Sequence, residues 1–278
     1  MTQAGLVIIL GGNEFASAIA EALVKSGIPV VMVIHQQETP LRRSICFSEA
    51  VLSGLKEIQG VSAVPIDENL LSQFSTASLS GQWRLAIQYC INNHALPVFL
   101  ENDFPDHIAV LKPQVIIKSH PDFFVDYPLD SASLIIGLHP WHLVNRHCHF
   151  SVESRSNHQL GEIFFQPPSL LPEFDTHFFR YPFEEIHSPL EGPFISLKNI
   201  GDKIQHHEAV GTIQEIQIRS PYDGQIWGLI HSGRLVKAKQ PLALIYQGIP
   251  SNAFNLFDYR HKAVAGSVLK EILHFFRK

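Results

Sequence analysis

Apolar residues in this chain gather into short unbroken runs separated by amphipathic stretches. Residues 6–10, 29–34, 96–100, 115–118 and 134–137 each have strand length and no polar alternation. That pattern predicts strands buried on both faces of a parallel sheet. Between the first two runs, a turn at Gly11, Gly12 and Asn13 leads into Phe15, Ile19, Ala22 and Leu23. These four share one face of a helix, so the first 34 residues predict a right-handed strand–helix–strand unit. A second helical stripe runs through Trp83, Leu85, Ala86, Tyr89 and Cys90, with a short helix expected over 103–111. Phe47, Ala50, Val51 and Leu52 suggest a further helix after Thr39 and Pro40. Strands and helices alternating to about residue 140 predict an α/β fold with a Rossmann-like, doubly wound sheet.

The pattern changes after residue 185. Ser188, Pro189 and Gly192 return thirty-two residues later as Ser220, Pro221 and Gly224. Gly201 returns as Gly233, Ile204 as Val236, Val210 as Leu242 and Ile213 as Ile245. Each half reads as short strands broken by turns, too small to bury an apolar face alone. The two halves are expected to close on each other as a small β-sandwich. This doubled pattern resembles the biotinyl/lipoyl-type hammerhead, a barrel-sandwich hybrid whose cofactor hangs from a lysine between the halves. Residues 212–219, which form that connection here, contain no lysine. Covalent biotin or lipoate is therefore not expected, and the module reads as a scaffold or docking unit. The expected organisation is a Rossmann-like domain over 1–185, the β module over 186–250, and a C-terminal helical segment over 251–278. The apolar stripe Val264, Val268, Leu269 and Ile272 on that last helix is expected to pack on the large domain.

Composition narrows the functional classes. With 45% apolar and 17% charged residues over 278 positions, the chain can build an ordinary core. A net charge of −5 argues against nucleic-acid binding, which needs a basic surface. Cys46, Cys90 and Cys148 are scattered and odd in number, consistent with a reducing cytoplasm rather than a disulfide framework. The opening apolar run meets Gly11, Gly12, Asn13 and Glu14 too soon for a signal peptide or membrane span.

The candidate chemistry lies mainly at strand ends. Gly11, Gly12 and Asn13 sit where a dinucleotide fingerprint would begin, with Asn13 in place of the middle glycine. After the second strand come His35, Gln36 and Gln37, not an acid for a ribose hydroxyl. Arg42 and Arg43 suit a phosphate or carboxylate, or form a solvated helix start. Lys118, Ser119 and His120 follow another strand, as a second edge of the same cleft. His139, His142, His147 and His149 cluster among sixteen histidines. On a strand, His147 and His149 would face the same way as two metal ligands, imidazole preferring zinc, copper or iron. The alternative is that these are satisfied polar side chains.

Several segments together resemble the YqeB family, accessory proteins of selenium-dependent molybdenum hydroxylase systems. The match runs through Gly11–Ser17, then Arg42, Arg43, Phe47, Glu49, Ala50 and Val51, the most specific set. It continues through residues 134–137, His158, Leu160 and Gly161, the doubled module, and Ala265, Gly266, Val268 and Leu269. Asn13, Ser156, Asn157 and the His139–Trp141 turn depart from the family pattern toward bulkier side chains, implying a narrowed or repurposed cleft. The resemblance implies an accessory or maturation protein holding an anionic or nucleotide-bearing ligand near Gly11, Gly12, Asn13, Arg42, Arg43, Lys118 and His158. It also implies docking to a molybdenum hydroxylase or a cofactor-insertion protein through the β module. Three alternatives remain: a nucleotide-dependent oxidoreductase, a zinc hydrolase of the desuccinylase/aspartoacylase kind, and a non-catalytic interaction protein. The hydrolase reading lacks a His-x-x-Glu pair in a suitable place before the β module, since His107, His120 and His139 have no glutamate three residues on.

Overall fold

The structure is a computed structural model and describes residues 5–76, 78–120, 127–155, 158–168 and 183–277. The chain divides into two compact units. The first draws on Met1–Glu38, Phe47–Phe178 and Asp258–Lys278, the second on Thr39–Cys46 and Phe179–Phe257.

In the first unit β1 (Val7–Leu10) is followed by α1 (Glu14–Lys25) and β2 (Val30–Ile34). The short α2 (Ala50–Ser53) leads into a hairpin of β3 (Lys56–Ile58) and β4 (Val61–Pro65). Then come α3 (Glu68–Leu71), α4 (Leu79–Asn92), β5 (Leu96–Leu100), α5 (His107–Leu111), β6 (Val115–Lys118) and β7 (Leu134–His139). Two further strands, β8 (Phe150–Glu153) and β9 (Ile163–Phe164), complete a nine-stranded sheet ordered β3-β4-β5-β2-β1-β6-β7-β8-β9. Its seven inner strands are parallel, and the outermost strand at each edge is antiparallel. β1 lies between β2 and β6, so the chain builds outward first on one side and then on the other. The carboxyl ends of β1 and β6 thus form a topological switch point, where open α/β sheets bind ligands.

The continuous aliphatic runs do become these inner strands, every residue of β1, β2, β6 and β7 being buried. One face is covered through Trp83, Ala86, Ile87 and Cys90 of α4, with Phe99 and Phe104. Trp83 stacks on Phe104 at 4.8 Å and meets Phe99 edge-on at 5.0 Å, as aromatic quadrupoles favour. The terminal helix α6 (Tyr259–Phe276) packs on α1 and β8 in this same unit. Its stripe Val264, Ala265, Val268 and Ile272 is buried, and Asp258 begins it with a capping box. The helix expected through Phe47 is smaller than its pattern suggests. Two 3₁₀ turns precede a single turn of α-helix ending at Ser53.

The second unit is all-β among its strands, in two four-stranded antiparallel sheets. One is ordered β10 (Phe183–His187), β17 (Pro241–Tyr246), β15 (Gly224–Leu229), β12 (Lys203–Ile204). The other is β14 (Ile216–Arg219), β13 (Ala209–Ile213), β11 (Gly192–Ser196), β16 (Leu235–Val236). The sequence repeat explains this arrangement. β11, β12 and β13 of one half correspond to β15, β16 and β17 of the other, and the halves exchange their middle strands. Ile204 pairs with Gly224 and, thirty-two residues on, Val236 pairs with Gly192. Phe194 pairs with Ile213 as Ile226 pairs with Ile245. Even the corner bonds repeat: Ser188 N donates to Gln240 O and Ser220 N to Glu208 O, both at 2.9 Å. The core follows suit, with Phe194/Ile226, Ile204/Val236, Val210/Leu242 and Ile213/Ile245 all buried together.

Candidate functional site

The loop after β1 belongs to the first unit and carries the strongest backbone constraints. Gly11 has φ +110°, and a Cβ there would stand 2.5 Å from Ser119 Oγ. A Cβ on Gly12 would meet Ile34 Cδ1 at 2.4 Å and Ser48 Cβ at 2.5 Å. Both glycines are therefore required by close packing of the loop against the ends of β2 and β6. Asn13, the residue that departs from the dinucleotide fingerprint, is the N-cap of α1. Its Oδ1 accepts from Ala16 N at 2.9 Å and its Nδ2 donates to Ser119 O at 3.1 Å.

The anion that this helix start attracts is supplied from within. Gly12 N donates to Glu38 Oε1 at 2.8 Å, and Glu38 is 3% exposed. Burial pushes the Glu38 carboxyl up to about 7, against the lowering effect of its bond from Gly12. Glu38 lies four residues beyond β2, just past the His35–Gln37 stretch searched for an acid. The carboxylate turns back onto the loop, where a bound phosphate would otherwise accept the same N–H.

A second set of polar groups lies across β6, β7 and β8. Lys118, Gly137 and Ser151 are register partners, and His139 and Glu153 are partners two residues on. In a parallel sheet, register partners and every second residue share a face, so all these positions look the same way. His142 and Cys148 cover that face: a Cβ on Gly137 would meet His142 Cβ at 2.3 Å and Cys148 Sγ at 2.9 Å. Lys118, His139, His142, Ser151 and Glu153 are all buried.

All of these groups but Ser151 are oriented by specific partners. Lys118 Nζ donates to Tyr127 O at 2.8 Å. His139 Nδ1 lies 3.1 Å from Glu153 Oε2 and 3.3 Å from Arg155 Nη2. Arg155 grips the same carboxylate with Nε at 3.0 Å and Nη2 at 2.7 Å. Burial alone would raise the Glu153 pKa, but these hydrogen bonds from His139 and Arg155 bring it down to about 2. His142 Nδ1 donates to Leu138 O at 3.3 Å. Burial lowers the His142 pKa to about 4, with the charge of Lys118 adding to the fall. The remaining ring nitrogens, His139 Nε2 and His142 Nε2, have no hydrogen-bond partner among the described residues, and neither does Ser151 Oγ.

Of the sequence candidates, Gly11, Gly12, Asn13 and Lys118 come together at the carboxyl ends of β1 and β6. Arg42 and Arg43 are members of the second unit, where Arg43 Nε donates to Leu229 O at 2.9 Å. Arg42 is 4% exposed. His158 is exposed in the turn after β8, and its neighbours Ser156 and Asn157 lie outside the described residues. His147 and His149 are not on a strand: the chain turns through them and β8 begins only at Phe150. Each uses Nδ1 as an acceptor, from Leu143 N at 3.1 Å and from Ile135 N at 2.8 Å. Among the described residues, no three His, Cys, Asp or Glu side chains are grouped to hold a metal ion.

The pairing of His139 with Glu153 was not foreseen from sequence, because β8 mixes polar and apolar residues and gives no aliphatic run. Two cavities lie elsewhere. One of about 470 Å³ is lined by Leu6, Pro29, Arg84 and Lys112 at the opposite end of the strands, and one of about 630 Å³ runs along α6. Neither gathers the polar groups that the carboxyl edge does.

No protein-family model matches the chain. It is similar to the uncharacterized protein YqeB of Escherichia coli K12. The two are 23% identical over 274 residues, 96% of this chain and 47% of YqeB. The chain thus spans about half the length of that relative. Among solved structures, it is similar to the ectoine utilization protein EutE (DoeB) of Ruegeria pomeroyi, at 10% identity and TM-score 0.24, covering 87% of this chain and 86% of that one. An aspartoacylase family protein of Mesorhizobium loti MAFF303099 gives 13% identity and TM-score 0.25, covering 88% and 86%. Likenesses at these scores carry no functional weight. Among the described residues, no helix is long and apolar enough to cross a membrane.

Proposed function

We propose that the chain is a YqeB-like accessory protein that holds a small polar ligand at the carboxyl edge of its parallel sheet. Its setting would be the maturation of a selenium-dependent molybdenum hydroxylase. The observation that carries the ligand-holding part is the buried, oriented set of Lys118, His139, His142, Ser151 and Glu153 beside the switch point of the sheet. Buried polar groups are ordinarily paired within the fold, so His139 Nε2, His142 Nε2 and Ser151 Oγ, which have no partner among the described residues, suit a site with an exchangeable occupant. The setting rests on the similarity to YqeB, which extends over 96% of this chain and 47% of that relative, and on the motif resemblance. Within that setting the second unit acts as a barrel-sandwich hybrid, with no lysine in its connecting residues 212–219, that docks a hydroxylase or a cofactor-insertion protein. The buried free thiols of Cys46, Cys90 and Cys148 suit a cytoplasmic location.

A dinucleotide oxidoreductase is a poorer fit. Glu38 occupies the Gly12 N–H that a pyrophosphate would use, and Asn13 fills the space of the middle glycine.

A thermal-shift screen against nucleotides, pterins, hydroxy acids and small oxyanions tests the ligand-holding part. A ligand of the folded state raises the midpoint by mass action, and Lys118→Met should abolish the rise. A rise that survives Lys118→Met moves the site away from this edge. The pathway part is tested by assaying a molybdenum hydroxylase matured with and without the protein; equal activity rejects it.

A further inference from the structure

The end of the strands opposite the carboxyl edge holds open space. The cavity of about 470 Å³ there is lined by α4, by the end of α5, and by the residues just before β1 and β2. Its floor asks for no hydrogen bond. Pro29 O accepts from Val7 N at 2.9 Å and Leu6 O from Gln114 N at 3.0 Å, so this backbone is satisfied within the sheet. What the floor presents is carbon. Ile87 is buried, while Leu6, Ile91, Val110 and Leu111 are left partly covered at the margin of the core. A recess of this volume with an apolar floor has the size and character of a small-molecule site.

The charge around it has one sign. Arg84 and Lys112, both exposed, line the cavity, and no acidic side chain does. The depletion of acid extends through the sequence that builds the recess. Residues 5–10, 27–34, 79–98 and 107–117 contain no aspartate or glutamate, in a chain with 26 acidic against 21 basic residues. Arg84 is also held in place, its Nη2 donating to Val110 O at 2.7 Å and so bridging α4 to α5. Neither Arg84 nor Lys112 makes an ion pair among the described residues. Solvation alone would account for either cation, but not for the apolar recess beside them.

These features select a ligand. A nonpolar molecule would cover the floor and leave both cations to water. A small inorganic anion would answer the cations and leave the floor bare. A molecule with an apolar body and one anionic head answers both, and the planar fork of arginine suits a carboxylate as that head.

We propose that this cavity binds a small amphipathic carboxylate, its body on Leu6, Pro29, Ile87 and Ile91 and its head on Arg84 and Lys112. The site is separate from the one at the carboxyl edge and does not depend on it.

The full chain is titrated calorimetrically at pH 7 with octanoate and with phenylpropionate, an alkyl and an aryl body under the same head. Acetate supplies the head without the body, and octanamide the body without the charge. At least one of the two amphipathic carboxylates should bind saturably, and the tighter of them identifies the body. Acetate and octanamide should each bind about tenfold more weakly or worse. Replacing both cations, Arg84→Gln with Lys112→Gln, should weaken the carboxylate about tenfold and leave octanamide unchanged. Both positions are exposed, so the fold does not rest on them. In the unmutated protein, ¹³C-methyl signals of Leu6, Ile87 and Ile91 should move saturably with the bound carboxylate.

Equal binding of octanoate and octanamide overturns the proposal. So does carboxylate affinity untouched in the double variant, the behaviour of cations that are merely solvated. Methyl signals that move elsewhere, or no saturable binding by either carboxylate, overturn it as well. None of these outcomes bears on the carboxyl-edge site, which the thermal-shift comparison with Lys118→Met decides.

Discussion

Replacing Glu38 by glutamine keeps the shape of the side chain and an acceptor for Gly12 N while removing the charge. In the folded protein, burial lifts this carboxyl from the ordinary glutamate value of 4.5 to about 7. The unfolded chain gives up its proton near 4.5 and the folded chain holds it until about 7. The stability that protonated Glu38 confers is therefore complete below 4.5 and is lost as pH rises through 7. One pH unit of displacement is worth about 1.4 kcal/mol, so the loss amounts to roughly 3 kcal/mol. For a chain of this size that corresponds to a midpoint change on the order of 5–10 °C. Glu38→Gln has no proton to lose and lacks this slope. Thermal or urea unfolding of both proteins at pH 5, 6, 7 and 8 should show the variant gaining on the wild type as pH rises. The gain above pH 7, less the difference at pH 5, measures the burial of the charge whatever the substitution does at every pH. A difference that stays constant across this range would refute the placement of an internal carboxylate against the glycine loop.

Further substitutions probe the rest of the framework. Gly137→Ala puts a methyl 2.3 Å from His142 Cβ and should destabilise the chain by about 1–3 kcal/mol in urea unfolding, with a displaced His142 ¹⁵N signal. Glu153→Gln removes the buried charge that His139 and Arg155 hold and should lower stability by about 3 kcal/mol or more at neutral pH. Glu153 has its folded pKa lowered to about 2, so the wild type should shed this contribution as pH falls from 4.5 toward 2, and the variant should not. In the second unit, Ile213→Val and Ile245→Val remove equivalent methyl groups from equivalent pairs. Each should lower stability by about 0.5–1.5 kcal/mol and by matching amounts, and a marked inequality would count against the doubled architecture.

How much of this was legible beforehand differs from element to element. β1, β2, β5, β6 and β7 announced themselves because a strand covered on both faces must be apolar throughout. The hairpin of β3 and β4, and β8 with its buried Ser151 and Glu153, gave no such signal. In β8 the burial of Glu153 is made tolerable by partners from outside the strand, chiefly His139 and Arg155. The helix proposed through Phe47 is largely replaced by 3₁₀ turns; Phe47 and Ala50 are buried, while Leu52 is exposed. Gly11, Gly12, Asn13 and Lys118 lie at the carboxyl ends of the neighbouring strands β1 and β6. Glu38 was passed over because a fixed offset from β2 was searched, while the chain bends back from a position slightly further on.

The amino-acid order by itself determined the parallel α/β layer, the doubled β module without an attachment lysine, and the stripe on α6, because each depends on periodicity within one short segment. Only the tertiary structure decided that Gly12 meets Glu38, that His139 meets Glu153, and that the two halves of the β module trade middle strands. Those contacts depend on the register of strands far apart in the chain and on which polar groups lose their water when the sheet closes. Neither is written in the local pattern of residues.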